Sequence, residues 1–313
     1  MAVKKYTDYD YESIYNKELL GEASIEECIE QLKRSGKTYG YVVKTIQSGD
    51  MLESEIYPLY RKRKHVPKRE WEETKESRLA QMKLNWKNSV KYAVRLINTN
   101  FKQNDYFVTL TYRDGDLPDE ERAKKDIKNF IAKIRRYIKK NKLEELKYMY
   151  SIEYVNEDER GRTKKIRIHH HMIMNAVVPR ELVEDMWGKG RADAKRLQAD
   201  EFGFEGVARY ITKKGKLHQC NKKDKNGPTE EQTELRKFEK SWVSSKNLKK
   251  PTVHKATTKL TKRKAENVAR NQNQLKELFE KMYNNKYTYN DSTTYISDVT
   301  GGFYLYARMR KNC

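Results

Sequence analysis

The sequence predicts an α+β protein built on an antiparallel sheet of about five strands, with helices on one side. Three observations carry this expectation. Tyr106 to Tyr112 (YFVTLTY) is rich in the β-branched and aromatic residues that suit a pleated surface. Lys147–Tyr154 and Arg167–Asn175 have the same character and are joined by a charged loop, NEDERGRTKK. Between the first and second strands, Asp119–Lys140 spaces Ile127, Phe130, Ile131 and Ile134 as a helix does, after an Asp-Gly-Asp loop and Pro118.

The remaining elements follow in chain order. Residues 1–35 read as a polar arm leading into a short helix, IEECIEQLKR, with Ser24 as its cap. Tyr39–Val43 and Ser54–Tyr60 read as strands around a Gly49-Asp50 turn. A basic connector, RKRKHVPK, precedes a long helix from about Trp71 to Asn98. Pro179 opens a helix toward Trp187, and Val207–Lys213 carries Tyr210 on a helix or helical turn. Ala265–Met282 reads as a helix, Tyr283–Thr294 as a polar Tyr- and Asn-containing segment, and Gly302–Arg308 as a strand. The expected organisation is therefore linear. Residues 1–100 supply strands and a long helix packed on the core, 101–215 form the core, and 216–313 form a basic extension.

Charge narrows the partners. The chain holds 67 Lys and Arg against 45 Asp and Glu, a net charge of +22. That excess favours a polyanion, most often nucleic acid. Ser241–Lys264 alone carries seven lysines, one arginine and no acid. Its readings are phosphate binding, with Lys249, Lys250, Lys262, Arg263 and Lys264 as candidates, or a solvated tail. Cys28, Cys220 and Cys313 are far apart and form no CxxC pair, which speaks against a disulfide framework or zinc ribbon and fits a reducing cytoplasm. MAVKKYTDYDYES lacks the apolar core of a signal peptide, and no stretch is apolar enough for a membrane span, so no membrane partner is expected.

Half of the six histidines are consecutive, His169, His170 and His171, ahead of Met172-Ile173-Met174. On a strand, His169 and His171 share one face roughly 7 Å apart while His170 takes the other. Two imidazoles on one face can grip a divalent metal. If the neighbouring strands pair antiparallel, Glu153 of YSIEY lands beside them as an oxygen ligand. Two His and one carboxylate also suit non-haem iron, and spacing alone does not separate the two chemistries. Tyr210 and Lys213 lie one helical turn apart, where a lysine can stabilise a phenolate or a phosphate. Thr109 and Thr111 alternate on one face of their strand, as sheet floor or substrate contacts.

In this order the motifs resemble those of rolling-circle replication initiators, the phage and plasmid type of Gram-positive bacteria within the HUH (His-hydrophobic-His) superfamily of single-strand endonucleases. The resemblance runs from about residue 100 to Lys213. Its motifs are Val108-Thr109-Leu110-Thr111, His169-His170-His171 and Tyr210-Ile211-Thr212-Lys213. His170 departs from the pattern, standing where an apolar residue is usual, and a register with His170 as ligand stays open. A tyrosine after the histidines separates this chain from conjugative relaxases, and its length from the small single-strand transposases.

The resemblance implies an HUH core and a bacterial cytoplasmic setting. It implies that Mg²⁺ or Mn²⁺, held by His169, His171 and Glu153, serves Tyr210 as nucleophile at single-stranded origin DNA, with a 5′-phosphotyrosine intermediate. Lys213, or its neighbour Lys214, would assist the phenol or contact phosphate. Gly36-Lys37-Thr38 lacks the leading glycine of a P-loop, Gln31 standing there, so strand separation would fall to a host helicase and replication machinery. Two other readings remain at this point: a non-enzymatic basic DNA-binding regulator with structural histidines, and a metal-dependent oxygenase, which has no need of +22.

Overall fold

A computed structural model describes residues 38–60, 75–157, 163–212, 242–270, 272–296 and 302–312. The arm and helix expected within 1–35, the connector 61–68, and Lys213 and Lys214 lie outside the described residues. The chain is α+β and divides into two units. One comprises residues 90–200 and 204–250; the other comprises 1–89, 201–203 and 251–313, the boundary at 89/90 falling within a helix.

The first unit is a five-stranded antiparallel sheet. Its strands are β3 (Tyr106–Thr111), β4 (Tyr148–Glu157), β5 (Thr163–Met174), β6 (Ala192–Arg196) and β7 (Val243–Ser244), in the spatial order β6-β3-β5-β4-β7. The histidine strand β5 is therefore central, as the sequence predicts. Alternation sorts the side chains onto two faces. On one, Val108, Leu110, Tyr112, Met172 and Met174 are buried beneath α2 (Glu120–Lys140) and α3 (Arg180–Trp187). On the other, Met149 and Ile173 pack with Ala93, Leu96 and Ile97 of α1 (Lys75–Asn100) and with Ala208 and Ile211 of α4 (Glu205–Ile211). Helices thus cover both faces rather than one. Both faces of the central strands are apolar, so each needs a cover.

Local chemistry sets the boundaries. Asp119 caps α2, its carboxylate accepting the Arg122 amide at 2.8 Å. α3 ends at Gly188, which adopts the left-handed conformation with φ 63°. The loop after it runs back along β3. Thr111 N donates to Arg191 O at 2.9 Å and Arg113 N to Lys189 O at 3.0 Å. Between them Gly190 has no room for a side chain. This loop delivers β6 to the free edge of β3.

The second unit corrects the linear division. β1 (Thr38–Ser48) and β2 (Met51–Tyr60) form the expected hairpin around Gly49, at φ 59°. They are not part of the histidine sheet. They join β8 (Thr252–Ala256), β9 (Tyr287–Ile296) and β10 (Phe303–Lys311) in a second antiparallel sheet, β8-β1-β2-β10-β9. The expected basic extension is thus divided: β7 completes the first sheet, and β8 to β10 build the second. The physical reason is backbone pairing: β1 and β2 each have one edge left after forming the hairpin, and β8 and β10 fill those edges. The helix expected over 265–282 is two, α5 (Lys262–Arg270) and α6 (Leu275–Met282). They bury Ala265, Val268, Leu278 and Phe279 against Tyr41, Val43, Ile56 and Leu305.

Candidate metal and tyrosine site

The register of the first sheet builds the site. Glu153 of β4 stands directly opposite His169 of β5, and Thr109 and Thr111 of β3 stand opposite His171 and His169. All five share the face covered by α1 and α4, by the same alternation that buries Ile173 there. The Nε2 atoms of His169 and His171 approach one oxygen, Glu153 Oε2, at 3.2 and 3.1 Å. These three ligand atoms lie within 4.8 Å of one another, the one such group among the described residues.

The outer nitrogens are also held. His169 Nδ1 is 2.9 Å from the Arg167 carbonyl, which can only accept, so Nδ1 carries a proton. On a neutral ring this leaves the Nε2 lone pair free toward Glu153, the tautomer a metal ligand needs. His171 Nδ1 lies 3.4 Å from Thr109 Oγ1. Two imidazole nitrogens and a carboxylate oxygen, each backed in this way, fit a divalent cation. Electrostatics agree. Burial pushes the Glu153 carboxyl up, but hydrogen bonds and charge from His169 and His171 outweigh it and hold the group down at about 2. His169 is raised, first by its bond to Glu153.

His170 faces away from this cluster, so the register with His170 as ligand is not the one the chain adopts. It is fully buried, with its Nε2 2.9 Å from the Tyr112 hydroxyl and its ring 5.5 Å from that of Trp187. Burial first, then charge on His169 and His171, pushes its pKa down to about 3.

Tyr210 is brought to the cluster. α4 is anchored through Ala208 and Ile211, and the Phe204 amide before it donates to Asn98 Oδ1 at 2.8 Å. This places the Tyr210 ring edge-on to His171 at 4.8 Å and to Phe107 at 5.8 Å. Phe107 in turn stacks on His171 at 5.6 Å. Tyr210 remains 41% exposed, so the hydroxyl-bearing residue is accessible. Burial, then the Glu153 charge, raises its pKa and keeps the phenol protonated here.

Sequence reasoning missed Phe107. The signal was present, since it sits two residues before Thr109 and so on the same face. It also missed the Arg167 carbonyl, which no side-chain pattern reveals. The hydroxyls of the two threonines are engaged within the protein, Thr109 with His171 and Thr111 with the Arg191 carbonyl at 3.0 Å.

The basic candidates do not gather in one place. Lys249 and Lys250 are exposed in the first unit, where the Lys249 backbone is tied to the Asn100 side chain at 2.7 and 2.8 Å. Lys262, Arg263 and Lys264 open α5 in the second unit. Among the described residues no helix is long and apolar enough to cross a membrane. Comparison with known proteins finds no matching curated protein and no matching solved structure. Residues 105–215, which hold Glu153, His169, His171 and Tyr210, match the model of a family described as replication-associated protein of the ORF2 type, and this part of the chain is therefore similar to a protein family that acts in replication.

Proposed function

We propose that the chain initiates rolling-circle replication by nicking single-stranded origin DNA and transferring the strand through a covalent tyrosine intermediate. The observation that carries this reading is the Tyr210 ring 4.8 Å from His171, beside the His169–His171–Glu153 group. His169 Nε2, His171 Nε2 and a Glu153 oxygen would hold the cation, Mg²⁺ or Mn²⁺. When bound, such an ion supplies charge neutralisation at a scissile phosphate.

The protein's own groups do the rest. Arg167 O and Thr109 Oγ1 fix the two imidazoles, and Phe107 limits the swing of the Tyr210 ring. The Tyr210 oxygen attacks phosphorus; a P–O(Tyr) bond forms as the P–O3′ bond breaks, and the departing 3′ oxygen ends as a hydroxyl. The phosphodiester count is unchanged, so a later 3′-hydroxyl can reverse the step without ATP. Lys213 or Lys214, following α4 in sequence, would offset the negative charge that forms on the phenol. Lys249, Lys250, Lys262, Arg263 and Lys264 would bind phosphates, and a host helicase would open the duplex in the bacterial cytoplasm. An oxygenase built on the same ligands has no use for Tyr210 or for a charge of +22.

The test is incubation with labelled single-stranded DNA, tiled across the element that encodes the protein, in Mn²⁺. A covalent protein–DNA band is expected on a denaturing gel, lost with EDTA and in Tyr210→Phe. A band that persists in Tyr210→Phe moves the nucleophile to another tyrosine. Salt-sensitive binding with no adduct on any tile overturns the reading in favour of a DNA-binding regulator with structural histidines.

A further inference from the structure

The outer side of α2 carries a charge pattern that the metal and tyrosine group does not explain. The helix buries Ile127, Phe130, Ile131, Ile134 and Ile138 against the sheet face that holds His170. On a 3.6-residue repeat Lys125, Lys128, Arg136, Lys139 and Lys140 fall on the opposite side, and all five are exposed. The stripe runs about 22 Å along the axis at 1.5 Å per residue. Residues 127–142 contain seven Lys and Arg and no Asp or Glu.

Helix electrostatics account for only part of this. Glu120 and Glu121 in the first turn and Lys139 and Lys140 in the last suit the macrodipole. Lys125, Lys128 and Arg136 lie in the middle turns, where that effect has faded. Internal pairing does not account for them either. Lys124 pairs with Glu120 and Arg122 with Asp116, but the five stripe residues have no ion-pair partner among the described residues.

We propose that this stripe docks the phosphate backbone of double-stranded DNA, on the sheet face opposite Tyr210. Charge complementarity points to a polyanion, and the absence of an aromatic side chain from the stripe points to a duplex. Single strands gain about 1–3 kcal/mol per base from stacking on rings, and this surface offers none. A duplex presents a charge every ~1.7 Å of its axis with its bases already stacked, so a straight row of cations suffices. The docking is sequence-independent and does not require Tyr210 to be a nucleophile.

The experiment is fluorescence anisotropy of the full chain with a labelled random-sequence duplex in EDTA, across a salt titration. Lys125→Gln/Lys128→Gln/Arg136→Gln/Lys139→Gln is compared with a charge-matched control, Lys102→Gln/Lys276→Gln/Lys286→Gln/Lys311→Gln. The expected result is a loss of duplex affinity of at least about tenfold and a salt slope shallower by about 3–4 in the stripe variant. The control keeps the wild-type slope, and a single-stranded probe is affected far less. All eight positions are exposed, and a thermal melt verifies folding. Equal losses in both variants, equal losses for single and double strands, or an unchanged stripe variant overturn the proposal. Because metal is absent, the outcome is independent of whether the nicking assay succeeds.

Discussion

Replacing Gly190 with alanine tests the clamp that holds the end of β3, and with it the strand that carries Thr109 to His171. A Cβ at Gly190 would stand 2.4 Å from Thr111 O, 2.7 Å from the Tyr112 carbonyl carbon and 2.8 Å from Arg113 N. All three are backbone atoms and none can rotate aside, so loop or strand must retreat by about 1 Å to regain ordinary contact near 3.5 Å. Overpacking of this kind costs about 1–3 kcal/mol. The same retreat strains the Thr111–Arg191 and Arg113–Lys189 bonds and the Trp187 Nε1 bond to Thr111 O at 2.7 Å. Losing two of them adds about 1 kcal/mol each, for a total of roughly 3–5 kcal/mol.

Gly188 provides the internal comparison. Its φ is 63°, yet a Cβ there meets nothing within 4 Å. Gly188→Ala therefore meets only the left-handed penalty, about 1–2 kcal/mol. For a unit of this size each kcal/mol lowers the melting temperature by roughly 2–4 °C. Scanning calorimetry should show Gly190→Ala melting the histidine unit roughly 6–20 °C early, against about 2–8 °C for Gly188→Ala. A Gly190→Ala protein that melts with the wild type, or a Gly188→Ala protein that melts lower, would refute the close-approach argument.

Other expectations concern the site itself. Thr109→Val removes the group behind His171 Nδ1 and should weaken Mn²⁺ binding about tenfold in calorimetric titration, with the fold intact by circular dichroism; unchanged affinity would separate Thr109 from the cluster. Phe107→Leu should cut adduct yield several-fold while leaving Mn²⁺ affinity within about twofold, because it frees the Tyr210 ring but keeps all three ligands; a parallel fall in both would assign Phe107 to the ligands instead. His170 has a folded pKa near 3 against about 6.5 unfolded, so its contribution is complete above about pH 6.5 and erodes as pH falls toward 3. The erosion amounts to as much as about 5 kcal/mol. Denaturant titrations of wild type and His170→Leu should converge as the pH is lowered through this window, and parallel curves would contradict a buried neutral imidazole.

The sequence made the site legible because strand alternation is a strict rule. Given three consecutive histidines on a strand and an antiparallel neighbour, the outward pair and the facing of Glu153 follow. β3, β4 and β5 announce themselves through Tyr, Val, Ile and Phe, and α2 through its isoleucine spacing. β6 did not. Its sequence, ADAKR, has only Ala194 to bury, and it is a strand because the loop through Gly190 lays it on the β3 edge. β9, YTYNDSTTYI, reads as polar, although Tyr and Thr favour strands once an edge is offered. That β2 should pair with β10 rather than with the histidine sheet depends on long-range contacts that no local pattern encodes.

The pairing of β2 with β10 has a temporal side. About 240 residues separate the end of one strand from the start of the other. At ~5–20 residues per second, a ribosome takes roughly 10–50 s to cover that distance. The histidine unit, contained within 90–200 and 204–250, is fully synthesised before β10 begins. For that interval the β1–β2 hairpin waits with both outer edges open. The nascent chain thus completes its chemical centre first, and its most aggregation-prone period falls on the hairpin made earliest and finished last.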